Sequence, residues 1–487
     1  MNGMDPCVET DVCCIFQLDI LDQDALEVLL LIRSWRNSMA PINRIPPEIL
    51  SLVPDFLDMD RRDQDVITLT HVCRAWREVF VSRPSLWTNL DCVDPEQTRV
   101  YLERSKSSPI SLSLTEGRLH SPYPFFEFIP GVTGRLKSLK INVMKKYLGH
   151  ISSYLSRPAP LLERLSINAG RNPVLPPDIF NGDLSSLREL HLEHVRTELH
   201  WRNMVNLTSF KLTQTSPMAI SVRQYLDFFE SAPHLREVDL CSSTPFSGPQ
   251  NGRLVSLRHL KTMSTRGQPS SLLFDHLLIP VGTRLKMVVD LPDLPIEGRP
   301  LKFIDNLRNF SNFRKIRLEH GPASIEFIGP NGRVWLVLQA GRTCSPLGSL
   351  IHFDTAKTER LEIKLDESPS SDPLYRALLP MKELRTLTLT RCKNPHIPIH
   401  ALHPRTWSSG MMACSKLEKL VIVYLGRFDI KKVAETAAAR AERGAKLKTV
   451  RIVGLSEAAW SQFGISQLEK HVLHIEFGAN DDSGEEG

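Results

Sequence analysis

Cys392, His396, His400 and His403 are residue types that hold transition metals. Imidazoles four residues apart would share a helical face. Pro395 and Pro398 interrupt any helix that would align them, and no Cys-x-x-Cys pair accompanies them. They read as loop histidines, and neither a metal nor another cofactor is expected. Cys13-Cys14 is the other candidate for chemistry, but its acidic neighbours raise a thiol pKa and weaken a nucleophile. The chain lacks G-x-S-x-G, H-E-x-x-H, G-x-x-x-x-G-K-[ST] and G-x-G-x-x-G. Nothing nominates a reaction, so the expectation is a protein that is not an enzyme.

The elements around these residues must serve another purpose. The chain has 487 residues, 41% apolar and 24% charged, enough for several domains or for one repeat array beside a smaller domain. The longest apolar run, within Ala25–Ile32, is far short of a membrane span. Residues 1–32 carry seven acids and no Lys or Arg, which fits neither a secretory nor a mitochondrial leader. The nine cysteines are odd in number and irregular in spacing, and suit reduced thiols. An intracellular location follows, in cytoplasm, nucleus or both. Charge is uneven: −7 over residues 1–32, −5 from Glu476 onward, and +16 over residues 91–475. A basic middle favours acidic partners. Its bases are scattered, which disfavours nucleic acid.

Residues 1–20 show no period and read as mobile, with a short helix from Asp22 that Ala40-Pro41 ends. Ile49, Leu50, Val53, Phe56 and Leu57 mark one face of a helix opened by Pro46-Pro47, with a kink or an early end expected at Pro54. Leu69, Val72, Cys73, Trp76, Val79 and Phe80 mark a single stripe on a second helix, which Arg83-Pro84 stops. Helices this short need a neighbour or a partner to cover their apolar faces.

Ile45-Pro46-Pro47-Glu48-Ile49-Leu50, Thr70-His71-Val72-Cys73-Arg74-Ala75-Trp76-Arg77 and Leu86-Trp87 together resemble an F-box. They are similar in particular to the F-box-like segments that open many basidiomycete fungal proteins, where a helical stretch precedes PI-x-x-[LI]-P-x-E-I-L. The resemblance covers residues 41–90. It implies a three-helix module docking on the Skp adaptor of a Skp–cullin–F-box ubiquitin ligase. By motif, the adaptor-facing residues would be Ile45, Pro46, Ile49, Leu50, Val53, Leu69, Val72, Cys73 and Trp76. Pro54 and Asp58-Met59-Asp60 depart from the family's continuous helix.

Beyond Asp91 an apolar-x-x-apolar-x-apolar unit recurs: LKSLKI from Leu136, LERLSI from Leu162, LRELHL from Leu187, LREVDL from Leu235, FRKIRL from Phe313, LRTLTL from Leu384, LEKLVI from Leu417 and LKTVRI from Leu447. Looser copies begin at Leu257, Leu285 and Thr358. The mean interval is about 28 residues, that of a leucine-rich repeat. The predicted fold is thus α/β. A three-helix F-box-like module precedes an irregular leucine-rich-repeat solenoid, a curved and mostly parallel sheet with helices and loops on its convex side. Its segments are 1–40, a mobile start with a short helix; 41–90, the F-box-like domain; 91–130, a linker or atypical first repeat; 131–475, the solenoid; and 476–487, a disordered acidic tail. Asn331-Gly332 predicts a β-hairpin insertion near 325–338. Between the inward leucines of each strand one residue points to the concave face. Those positions include Lys140, Ser166, His191, Lys211, Asp239, Arg317, Thr388 and Arg451, a polar set that leans basic.

The combined expectation is a substrate-recognition adaptor. The F-box would bind a Skp-family adaptor, and through it a cullin, while the repeats hold an acidic or phosphorylated protein substrate. Such a protein acts by proximity and makes no bond itself. The rival readings are a leucine-rich scaffold capped by the F-box-like hairpin, and a basic array for nucleic acid.

Overall fold

The computed structural model describes residues 6–57, 62–92, 94–116, 123–143, 154–170, 174–176, 178–197, 204–214, 220–242, 253–266, 273–274, 276–280, 282–290, 313–320, 323–329, 332–339, 350, 353–365, 371–390, 396–404, 412–423, 430–453 and 462–478. They fall into two compact units, Met1–Ile141 and Asn142–Gly487.

The first unit opens with helix α1, Pro6–Met39. It begins well before the Asp22 start read from the sequence and takes in much of the stretch read as mobile. Proline is tolerated in a first turn, and no Gly or Pro interrupts Cys7 to Met39. Ala40, held extended before Pro41, ends it as expected. The 3-10 turn Pro41–Arg44, helix α2 (Pro47–Leu50), the 3-10 turn Val53–Phe56, helices α3 (Arg62–Thr70) and α4 (Arg74–Val81) and the 3-10 turn Pro84–Trp87 follow. The first helix stops at Leu50, an early end of the kind expected at Pro54, which opens a separate turn. One reading is corrected here: the Leu69–Phe80 stripe spans two helices and not one, since Cys73 is extended, at φ −159° and ψ 175°, and begins α4. Arg77 Nε bridges the break by donating to the Thr70 carbonyl across 3.0 Å.

Leu50, Val66, Trp76, Phe80, Leu86 and Trp87 fill the interior of this unit's N-terminal part. Trp87 donates its indole N–H to the Phe80 carbonyl, 3.0 Å away, and packs edge-on against Tyr101 of helix α5 (Pro95–Arg104). Arg104 lies 4.5 Å above the Trp87 ring. Asp94 caps α5 by accepting from Gln97 N at 3.1 Å. Strand β1 (Asn89–Asp91) precedes α5, and β2 (Ile110–Thr115) follows it and pairs with β1 in parallel. Strand β3 is Leu136–Asn142. Residues 91–130 therefore contain a strand–helix–strand turn sharing its core with Trp87. The first unit runs to Ile141 and does not stop at residue 90.

The second unit is built on a sheet. Its strands are β4 (Arg164–Asn168), β5 (Glu189–Glu193), β6 (Ser209–Gln214), β7 (Glu237–Ser242), β9 (Thr262–Arg266), β11 (Arg284–Asp290), β12 (Lys315–His320), β13 (Ala323–Gly329), β14 (Gly332–Gln339), β15 (Arg360–Leu365), β16 (Thr386–Thr390), β17 (Lys419–Val423), β18 (Thr449–Val453) and β19 (His474–Gly478). Two-residue strands β8 (Val255–Ser256) and β10 (Leu277–Leu278) form a separate ribbon. Spatial order follows the sequence except at the hairpin, where it runs β11-β14-β13-β12-β15. Pairing is parallel throughout except on the two sides of β13. The predicted hairpin is therefore part of the sheet and no side insertion. Its last pair is Gly329 with Gly332.

Alternate strand residues are buried, as at Leu165/Ile167, Leu190/Leu192 and Leu420/Ile422. Helix Val222–Ser231 covers that face, Phe228 lying 4.4 Å from Phe210 of β6. Ser221 and Gln224 close a reciprocal capping box at its start. An Ala-rich helix, Ile430–Glu442, lies between β17 and β18. Three sequence assignments shift. The copies placed at Leu257 and Leu285 are out of register: β9 buries Met263 and Thr265, and β11 buries Leu285 and Met287. A buried threonine in place of the third apolar residue hides the first of these. His396–Ala401 is a helix, since Pro398 lies early enough to be tolerated in its first turn. Glu476–Gly478, assigned to the disordered tail, pair with Arg451–Val453, and residues 479–487 lie outside the described residues.

Candidate functional site

In the first unit the motif-derived adaptor residues divide between surface and core. Ile49 (56% exposed), Val72 (49% exposed) and Pro46 are at the surface, while Ile45, Val53, Leu69 and Cys73 are half-buried. Leu50 and Trp76 are interior, only 4% and 9% exposed. Trp76 lies on its sequence stripe, which the break at Cys73 divides between α3 and α4. The residues that sequence reasoning passed over are Ile42, Leu52 and Phe56, exposed by 52%, 46% and 87%. Phe56 is the clearest: a phenyl ring next to Asp55 in the turn that holds Pro54, with almost no cover. The Leu52 N–H donates to the Ile49 carbonyl, and the exposed apolar residues cluster in sequence over residues 42–56, with Val72 exposed just after α3. The signal was present in the run of apolar residues between Ile49 and Leu57, more than one interior face can use.

Arg83 fixes this segment. Its guanidinium donates to the Ser51 carbonyl and forms an ion pair of 3.0 Å with Asp55. Asn43 ties the opening turn to the helices behind it, accepting from the Trp76 indole at 2.7 Å and donating to the Asn37 carbonyl at 2.7 Å.

In the second unit, strand register brings the sequence-predicted face residues into one row. Ser166 pairs with His191, His191 with Lys211, and Lys211 with Asp239. The row continues through Ser264, Lys286, Trp335 and Glu326 to Arg317. It then passes through Glu362, Thr388 and Val421 to Arg451 and Glu476. Lys140 is exposed on β3, in the other unit. Lys286, Glu326, Glu362 and Glu476 were not foreseen. The first was masked by the misregistered repeat, and Glu326 sits on the one antiparallel strand. They change the character of the row: it was expected to lean basic, and it carries acids and bases in balance.

This face carries a groove of about 710 Å³ lined by β5, β6, β7, β9, β11 and β13. Lys211, Arg284 and Lys286 supply its positive charge, and Glu237, Asp239 and Glu326 its negative charge. Lys211 also lies 3.5 Å from Glu193. Beyond the groove Arg317 donates to Glu362 at 2.9 Å and lies 3.5 Å from Glu326. Burial pulls the Arg317 guanidinium down, but the two carboxylates outweigh it and hold its pKa above the ordinary arginine value. This is a row of half-exposed charges suited to binding. Among the described residues no group of three metal-ligating side chains comes together, and no helix is long and apolar enough to cross a membrane.

The F-box-like family model matches residues 42–93. The chain carries an F-box-like domain in its first unit. Among solved structures, the TLR13–ssRNA13 complex is similar at 11% identity and a TM-score of 0.27, over 70% of this chain and 48% of that one. The chain thus spans about half the length of that neighbour. Among curated proteins no match is found.

Proposed function

We propose that this protein is a substrate-recognition adaptor of a Skp–cullin–F-box ubiquitin ligase. Residues 42–56 with Val72 dock on a Skp-family adaptor, and the strand face of the second unit holds a protein substrate. The observation that carries the reading is the F-box-like match over a segment whose apolar residues Ile42, Ile49, Leu52, Phe56 and Val72 stand exposed. Exposed apolar side chains of this kind are what a partner interface needs at its centre. The regular strands, each burying alternate apolar residues and joined in parallel, support a leucine-rich-repeat solenoid whose concave face is the charged row. Its balance of signs favours a protein segment bearing both charges over a purely acidic one, and gives a polyanion little to hold. The protein works inside the cell, in cytoplasm, nucleus or both, and contributes proximity without bond-making residues.

A capped scaffold is the second reading, favoured by the interior position of Leu50 and Trp76. Co-expression of the full chain with a Skp adaptor, followed by size-exclusion chromatography, separates the two. Co-elution that is lost in an Ile49→Asp/Val72→Asp variant of unchanged melting temperature supports the ligase adaptor. Separate elution of the wild-type proteins leaves the scaffold.

A further inference from the structure

Helix α1 exposes apolar side chains that neither the F-box-like surface nor the strand face uses. Leu21, Val28, Ile32, Trp35 and Met39 are 62%, 56%, 56%, 71% and 59% exposed. Together with Ala25 they fall at alternating intervals of four and three residues, and the same intervals reach back in the sequence to Leu18 and Cys14. That is the spacing of a coiled-coil seam, which forms one continuous stripe when a helix is slightly underwound, although Ile20, Leu26 and Leu30 are also exposed, on other faces of α1. Leu29 and Leu31, also exposed, flank it on either side.

The occupant of the seam is indicated by charge. Asp19, Asp22, Asp24 and Glu27 crowd the N-terminal half of the described surface, while Arg33 and Arg36 are the charged residues of the C-terminal half. A parallel second copy would set acid beside acid and base beside base. An antiparallel copy opposes them and also opposes the helix dipoles. Size agrees. With Val28 opposite Ile32 of the second copy, the small Ala25 meets Trp35 and Leu21 meets Met39. Leu29 and Leu31 approach their own counterparts near the twofold axis, and Asp22 faces Arg36 at the rim. One alignment satisfies the apolar layers, the volumes and the charges together.

We propose that Leu21–Met39 is a self-association seam that pairs two copies of this chain as an antiparallel helical dimer. The test is sedimentation equilibrium of the full chain over a concentration series, with Val28→Asp/Ile32→Asp, Asp22→Arg and Asp22→Arg/Arg36→Asp variants. Circular dichroism and thermal unfolding show that each variant keeps its fold. Expected are a wild-type mass of two chains, a single-chain mass for Val28→Asp/Ile32→Asp, a dimer weakened about tenfold or more by Asp22→Arg, and recovery in the charge-swapped double variant. A parallel seam would place Gln17 and Leu31 beside these charges, and neither charge change would then matter. A single-chain mass at all concentrations overturns the proposal, as does a dimer indifferent to Val28→Asp/Ile32→Asp. Dimerisation lost in Asp22→Arg but unrestored in the double variant overturns the antiparallel alignment. A single-chain wild type that binds a Skp adaptor only with the seam intact assigns the seam to the adaptor and overturns self-pairing.

Discussion

The indole N–H of Trp76 donates to Oδ1 of Asn43 across 2.7 Å. The same Asn43 donates through its amide to the Asn37 carbonyl and through its backbone N–H to Ala40. One side chain thus joins the last turn of α1, the turn after it and helix α4. Removing it leaves a 9%-exposed tryptophan with an orphaned donor. Asn43→Ala should cost about 1–3 kcal/mol in urea unfolding of the first unit. Trp76→Phe removes the donor as well, so the double variant should be less destabilised than the two singles added together. Strict additivity would mean that the bond contributes nothing.

How much of this was legible is clearest at the same residues. Counting apolar positions from Leu69 to Phe80 placed Trp76 correctly on an apolar stripe. It could not divide interior from exterior, because that depends on the extended backbone at Cys73, which no residue type there demands. Pro54, by contrast, announced its own break. In the second unit the period of the leucines was enough to locate nine of the strands, β4 to β7, β12 and β15 to β18, and the outward residues on seven of them. The repeat at β9 was misplaced because Thr265, a buried hydroxyl, stands where an apolar residue was sought. The integration of the hairpin depends on long-range pairing of β14 with β11, which periodicity does not encode.

Surface and core residues of the F-box-like domain should respond in opposite ways. Phe56→Ala removes an 87%-exposed ring and should leave thermal unfolding unchanged. If the ring is an interface anchor, it should weaken binding to a Skp adaptor by about 2 kcal/mol, near thirtyfold in Kd by titration calorimetry. Leu50→Ala, at a buried position, should lower stability by about 2–5 kcal/mol. Equal losses of stability in both variants would contradict the division of the stripe.

Arg440 is fully buried in the helix Ile430–Glu442 and donates to the carbonyls of Leu402, Ala413 and Cys414, at 3.4, 3.0 and 2.6 Å. Burial depresses its pKa. The planar fork reaches several carbonyls at once, and a lysine ammonium is a single point. Arg440→Ala should therefore destabilise the second unit by about 3–5 kcal/mol, and Arg440→Lys by a large part of that. A lysine variant unfolding with the wild type would show that charge matters here and the fork does not.

Two buried thiols give stability a defined response to alkali. Burial pushes Cys92 in the first unit and Cys414 in the second from 9.0 up to about 12, with Thr98 and Arg440 respectively acting in the opposite direction. The folded state binds these protons more tightly than the unfolded chain. Each contribution is therefore complete below pH 9 and is lost as pH rises from there toward 12. The slope should be about 1.4 kcal/mol per pH unit for each thiol, once the unfolded thiol ionises. Buried Tyr225 is raised as well and steepens the loss in the second unit above its ordinary value. Urea midpoints measured between pH 7.5 and 10.5 should be flat and then fall. Cys414→Ala should flatten the decline of the second unit alone, and Cys92→Ala that of the first. A decline unaltered by both replacements would place its origin in other groups and refute the assignment.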